Sequence, residues 1–279
     1  MGTAGSHIIQ GEDMNTIGII GAGNMGRAFG IGLHTAQPQI SIRYFDIDTE
    51  KSARTAGECG GSSCTSYGEI FEAADIIMLA VKPQQAELLF HEWGKHAFGR
   101  TYISIMAGTP ISYLEAWLAD SRIVRYMPNL AATVGASVVG ISYGKDIDES
   151  IRQDALMIAS AVGTPIELPE KLLSAITGLS GSGLAYVFAF LHAMALGGTD
   201  AGFTYEQALD ISYDTVEGAV KLLRAEGAAP SEYITRVTSA GGTTIRGIKA
   251  LEKGRFTHTV MEAVQAAARR AEEIEETKK

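Results

Sequence analysis

The segment "TIGIIGAGNMGRA", Thr16 to Ala28, constrains this chain more than any other stretch. It spaces Gly21, Gly23 and Gly26 as G-x-G-x-x-G, after a short β-branched run and ahead of a helix-forming stretch. A strand that passes into a helix through this spacing opens a βαβ unit that binds a dinucleotide. The first glycine makes the tight turn, the second lets the backbone approach a pyrophosphate, and the third lets the helix pack closely on the strand. The helix N-terminus then turns its unpaired N–H groups toward the anion. Gly21, Gly23, Asn24, Met25 and Gly26 are therefore candidate cofactor contacts.

Asp46 closes the run "ISIRYFD", 25 positions after Gly21. A carboxylate there accepts hydrogen bonds from the adenosine ribose hydroxyls and repels a 2′-phosphate. Ile47 follows, where an NADP-binding chain often carries Arg or Ser, so the residues lean toward NADH. Arg43, Lys51 and Arg54 keep NADPH open, since each is a cation within reach of the ribose edge. Two further runs end in loops at the carboxyl ends of strands, where ligands sit in open α/β sheets. These add Ala80, Val81, Lys82 and Pro83, then Met106, Ala107 and Gly108, as the nicotinamide half; Asn129 in "MPN" ends another run.

Short apolar runs ("TIGII", "ISIRYF", "DIIMLAV", "TYISIM", "RIVRYM", "ASVVGIS") alternate with helical stretches until about residue 165. That order predicts a Rossmann-type, doubly wound, mainly parallel α/β sheet. After "GTPIELPEK" the strand signals stop and the text becomes alanine-rich and helical. With 279 residues against a usual domain of roughly 100–200, the expected division is a dinucleotide-binding domain over 16–168 and an all-helical substrate and dimerisation domain over 169–279. Residues 1–15 read as a disordered leader or cloning remnant.

A net charge of −9 with scattered cations speaks against a nucleic-acid or membrane surface, leaving a small soluble molecule as the expected partner. Cys59 and Cys64 are too few for a structural zinc, and the six histidines have no ligand-like spacing, so no metal is expected. Few cysteines and no secretory leader predict a cytoplasmic protein. The longest apolar run, Leu184 to Gly198, is shorter than a membrane span and reads as a buried helix.

One segment stands apart. "TRVTSAGGTTIRG", residues 235 to 247, sets four Thr, one Ser and three Gly inside the alanine-rich tail. Consecutive N–H groups in a glycine turn at a helix start form a concave anion site, although the same residues also suit an N-cap cluster. Together with "TGLSGSGLAYVF", Thr177 to Phe188, this segment makes the chain resemble the pyrroline-5-carboxylate reductase family from about Thr16 to Ile274. The resemblance implies reduction of the cyclic imine 1-pyrroline-5-carboxylate to L-proline with NADH or NADPH. It also implies a helical domain that pairs with a second subunit, and assembly into a higher ring such as a decamer.

Carried over from the family motif, Ser239 and the backbone of Thr243 and Thr244 hold the substrate carboxylate in a substrate-binding turn that includes Gly241 and Gly242, while the Thr244 hydroxyl meets the imine nitrogen as the catalytic contact. Glu170 matches a position near the substrate. The chain departs from the family pattern at Leu184 and Ala240, where prolines are usual, and at Arg236, a cation beside the elbow with room for an extra carboxylate. The alternatives are a related imine or 2-hydroxyacid reductase with another small carboxylate substrate, and a non-catalytic NAD(P)-sensing homologue. A β-hydroxyacid dehydrogenase would want a lysine on the first long helix after the sheet, and "TGLSGSGLAYVFAFLHAMALGG" has none.

Overall fold

The computed structural model describes residues 14–278, so the expected leader lies outside the described residues except for Met14 and Asn15. The chain forms two compact units. One runs to Gly181 and takes in the residues from Ala268 onward; the other is Ser182–Ala267.

The first unit is built on β1 Thr16–Ile20, β2 Ser41–Phe45, β3 Ser62–Ser63, β4 Ile76–Leu79, β5 Thr101–Ser104, β6 Arg122–Met127, β7 Ser137–Tyr143 and β8 Gly163–Glu167. They form one sheet in the order β3-β2-β1-β4-β5-β6-β7-β8. Every pairing is parallel except β6 with β7. The chain thus winds outward from β1 in both directions, as the alternating pattern predicted. Two strands were not anticipated. β3 is two serines with little strand propensity, and β8 carries Pro165, which a sheet tolerates because β8 is an edge.

Helices α1 Asn24–Ala36, α2 Thr49–Glu58, α3 Tyr67–Ala73, α4 Ala86–Trp93, α5 Ile111–Trp117, α6 Glu149–Ser160 and α7 Leu173–Ile176 complete this unit. Their starts follow local chemistry: the side chains of Asp48, Ser66 and Asp148 accept N–H bonds at the heads of α2, α3 and α6. Two apolar clusters cover the sheet. One joins Phe29, Leu33 and Tyr44 to Ile158 and Val162, and the other joins Ile70, Phe90 and Trp93 to Tyr102 and Leu114.

The second unit holds α8 Gly183–Asp200, α9 Tyr205–Glu226, α10 Pro230–Arg236, α11 Thr243–Lys253 and most of α12 Phe256–Glu276. A capping box of Thr204 and Gln207 starts α9, and Gly227 in the left-handed region ends it. The expectation of a buried apolar helix is corrected here. Within the chain Ala195 is the buried residue of α8, while Phe188 is 59% exposed and Leu196 51%. Helical structure also continues back to Glu170, making a 31-residue segment long and apolar enough to cross a membrane by length and composition, with 11% of its apolar window buried. The apolar text promised burial, and a single copy does not provide it.

Tyr44 ties β2 to α1: fully buried, its hydroxyl donates to the Gly26 carbonyl at 2.9 Å and lies 3.4 Å from Cys59 Sγ. Burial pushes its ionisation far above the ordinary tyrosine range, so it stays a neutral donor. Tyr44→Phe keeps the packing and removes the bond, and is expected to lower stability by about 1 kcal/mol. Thermal unfolding at a fixed protein concentration checks this; an unchanged midpoint would show that the hydroxyl contributes nothing.

Candidate functional site

Three parallel strands end level with one another at the centre of the sheet. Ile20 pairs with Phe45 on one side and with Leu79 on the other. The residues just beyond are Gly21, Asp46 and Ala80, and backbone bonds lock them at one height: Gly21 N to Phe45 O and Ala80 N to Ile20 O, both 2.8 Å. Because α1 and α4 leave toward opposite sides of β1, a crevice opens there, as it must where the winding reverses. It is a cleft of about 520 Å³ lined by Gly21, Gly23, Asp46, Lys51, Ala80, Val81 and Lys82, among others.

The glycines behave as their spacing requires. Gly21 has φ +108°, and a Cβ there would fall 2.4 Å from the Ala80 carbonyl oxygen. Gly23 has no atom within 4 Å of its Cβ position, so its backbone is open to a ligand. It caps α1 without a side-chain bond, and the first turn carries no acidic residue. Free N–H groups and an open glycine are what a pyrophosphate needs, so these residues fit a dinucleotide. Asn24 is exposed, Met25 half-buried and Gly26 packed beneath the turn.

Asp46 is held by its own chain. Its carboxylate accepts from Ala22 N at 2.8 Å, from Asp48 N at 3.1 Å and from Lys51 Nζ at 3.2 Å. Burial pushes the carboxyl up, and the two backbone donors with Lys51 more than offset it, so Asp46 lies below the usual carboxylate range. Of the three cations near the ribose edge, Lys51 is the one that reaches Asp46, while Arg43 bonds Ser62 on β3. Ile47 and Leu88, 74% and 75% exposed, line the same cleft. Sequence reading passed over Leu88. Its signal was a large apolar residue on the polar face of α4.

The nicotinamide-side candidates follow β4 and β5. Ala80, Val81 and Pro83 are half-buried and Lys82 exposed; Met106 is buried, Ala107 exposed, and Gly108 has φ +63°. Asn129 is buried and engaged at both ends of its amide: Oδ1 accepts from Ala131 N at 3.0 Å and Nδ2 donates to Ser180 Oγ at 2.8 Å. Glu170 is similarly occupied. Its Oε1 accepts from Arg125 Nη1 at 2.8 Å and from Ile111 N at 2.7 Å. Arg125, on β6, escaped sequence reading, although a guanidinium in mid-strand demands a buried carboxylate partner.

The elbow lies in the second unit, at the head of α11. Gly242 N bonds Ser239 O at 3.1 Å, Gly241 sits at φ +71°, and Thr243 and Thr244 are the first helical residues. The Ser239 hydroxyl occupies the space a side chain at Gly242 would take, 2.3 Å from its Cβ position. No side chain caps α11, which leaves the N–H groups of Thr243, Thr244 and Ile245 without intrahelical acceptors. The Thr244 hydroxyl is half-buried and makes no hydrogen bond among the described residues. Arg236 is turned to Glu226 at 2.9 Å and lies over the Tyr233 ring.

Comparison with known proteins adds to this geometry. Residues 170–274 match the family model for pyrroline-5-carboxylate reductase dimerisation, and residues 16–108 match that for coenzyme F420-dependent NADP oxidoreductases. The pyrroline-5-carboxylate reductase of Aquifex aeolicus is 38% identical over 92% of this chain and 97% of its own. That of Methanosarcina acetivorans is 39% identical over the same shares. The chain belongs to the pyrroline-5-carboxylate reductase family. Among solved structures, the reductase of Coxiella burnetii superposes with a TM-score of 0.87 at 31% identity, covering 94% of this chain and 99% of its own. The Plasmodium falciparum reductase, solved with NADP bound, gives 0.84 at 27% identity, covering 95% and 99%. The resemblance carried by the two C-terminal motifs is borne out, as is the Rossmann-plus-helical plan.

Because Asp46 ionises more readily folded than at its ordinary value of about 3.9, it contributes stability that is complete above that value and lost as pH falls through the lowered one. Asp46→Asn is expected to show a shallower fall in unfolding temperature than wild type between about pH 5 and pH 2. Parallel curves for the two proteins would show that the carboxylate makes no net contribution.

Proposed function

We propose that this chain reduces 1-pyrroline-5-carboxylate to L-proline, the last step of proline synthesis, with NAD(P)H as hydride source. The uncapped glycine elbow at the head of α11 carries the reading. A capping role for Ser239, Thr243 or Thr244 would require a side-chain bond to the helix start, and the elbow has none. What it offers is a row of N–H donors with two hydroxyls beside them, the complement of a small ring bearing one carboxylate and one nitrogen. In this reading Ser239, Gly241, Gly242 and Thr243 bind the carboxylate, and the Thr244 hydroxyl hydrogen-bonds the imine nitrogen. Glu170 contributes by holding Arg125 and the start of α5.

The nicotinamide, when bound, supplies a hydride to the imine carbon. The chain's part is to orient the imine and exclude water, because an imine protonated in solution is already electrophilic and a threonine hydroxyl is a poor acid. Oxidation of NADH on adding pyrroline-5-carboxylate tests the activity; no oxidation with folded protein would overturn it. Thr244→Ala is expected to lower turnover efficiency about 10- to 150-fold, as for a lost bond of about 1.5–3 kcal/mol to a charged group. Thr244→Ser is expected to keep most activity, and an Ala variant with full efficiency would remove Thr244 from the reaction.

NADH is the proposed preference, since a 2′-phosphate would lie beside the Asp46 carboxylate. Lys51 partly offsets that charge at 3.2 Å, so the preference is placed at the low end, about 1 kcal/mol or roughly fivefold. Lys51→Met is expected to widen the ratio of NADH to NADPH efficiency and Asp46→Ser to narrow it. Equal efficiencies in wild type would overturn the preference.

The apolar faces of α8, α9 and α12, with Phe188, Ile211 and Met261 at least half exposed, support a homodimer formed through the helical unit. Assembly of dimers into a ring such as a decamer is the proposed higher state, and both cysteines, free and buried, suit a reducing cytoplasm. Light scattering at micromolar concentration is expected to give a mass well above the protomer; a clean monomer would count against the interface.

A further inference from the structure

We propose that the C-terminal segment Ile274–Lys278 is a clip that positions the two loops on the nicotinamide side of the cleft, with Lys278 and Glu275 as its positioning residues. It rests on the dinucleotide reading of the sheet's carboxyl ends. The match to the dimerisation model stops at residue 274, so the clip's two polar anchors lie beyond it.

Lys278 Nζ donates to the Pro83 carbonyl at 3.3 Å and to Thr109 Oγ1 at 3.2 Å. Pro83 follows β4 and Thr109 follows β5, so one ammonium joins the loops on which the nicotinamide-side candidates lie. The same ammonium stands 5.3 Å from the centre of the Tyr113 ring. Burial pushes Lys278 down from the ordinary lysine range, a cost that a lysine with its ammonium in water does not meet.

A turn earlier, Glu275 anchors the segment from below. Its Oε1 meets Arg125 Nη1 at 2.6 Å and its Oε2 accepts from Ser174 Oγ at 3.1 Å, with the Arg125 side chain 4% exposed. Just before Glu275, Ile274 presses on Gly108, where a Cβ would fall 2.6 Å from its Cγ2. Gly108 is at φ +63°, where a side chain would be strained, and Ile274 fills the space a side chain there would take. Lys278 and Ile274 act on the loop pair itself, and Glu275 ties the same segment to β6 and α7.

Lys278→Met keeps the stem and removes both hydrogen bonds, and Glu275→Gln keeps the shape while weakening the hold on Arg125. The test compares the binding of NADH with that of ADP-ribose, which lacks the nicotinamide, alongside the unfolding temperature. NADH is expected to bind about 3- to 10-fold more weakly to Lys278→Met, the effect of losing a modest hydrogen bond. ADP-ribose should stay within about twofold, and Lys278→Arg should recover part of the loss. Unchanged NADH affinity in Lys278→Met and Glu275→Gln would overturn the clip. So would an equal loss for both ligands, since the tail would then act on overall stability alone. A wild type that binds neither ligand would instead overturn the cofactor reading, and the clip with it.

Discussion

The level ending of β1, β2 and β4 is the constraint on which the cofactor half depends. Parallel strands in register stop together, and their next residues, Gly21, Asp46 and Ala80, are forced into one crowded plane. The chain resolves the crowding by giving Gly21 a conformation that a side chain would find strained, pressed against the Ala80 carbonyl. What remains above is a crevice floored by backbone N–H groups and walled by α1 and α4. The crevice follows from the winding order, and the glycine spacing is what permits that order at this density of packing.

Charge inside the first unit is handled by the same economy at both sides of the sheet's centre. Asp46 is met by two N–H groups and Lys51, and Arg125 by Glu170 and Glu275. Of Arg125, Glu170 and Glu275 only the guanidinium is fully buried, so the pairs add little net stability, but a buried guanidinium left without a carboxylate would be severely destabilising. Arg125 therefore fixes where its neighbours must be. Glu170 begins the helical run after β8 and in turn accepts from Ile111 N at the start of α5, and Glu275 lies in the last turn of α12, so one guanidinium ties together three helix ends, one of them through Glu170.

How much of this was legible depends on whether a feature is written locally. The fingerprint, the acid that follows it and the alternation of strands and helices are local, and the sheet follows them closely. The elbow was legible because hydroxyls and paired glycines are out of place in an alanine-rich helix. What stayed hidden are the partnerships between distant residues: nothing near Arg125 names Glu275, 150 positions away, and nothing near Pro83 names Lys278. The burial of α8 was misread for a related reason. Apolar text states that a face will be covered, but not whether the cover belongs to the same copy.

From Ser239 to Thr244 the elbow itself carries no cation, which suits the chemistry proposed for it. A substrate carboxylate would bind well to a guanidinium, yet the ring nitrogen next to it must carry positive charge to accept hydride, and a fixed cation at that distance would raise the energy of the protonated imine. Backbone N–H groups at a helix start hold the carboxylate with partial charges confined to the first turn. Arg236 is consistent with this. It stands only a few residues from Ser239, and its charge is drawn off by Glu226 and by the face of Tyr233. In the proposed chemistry, a neutral cradle that grips the acid while leaving the imine electrophilic takes its curvature from Gly241 and Gly242 and its edges from the hydroxyls of Ser239, Thr243 and Thr244.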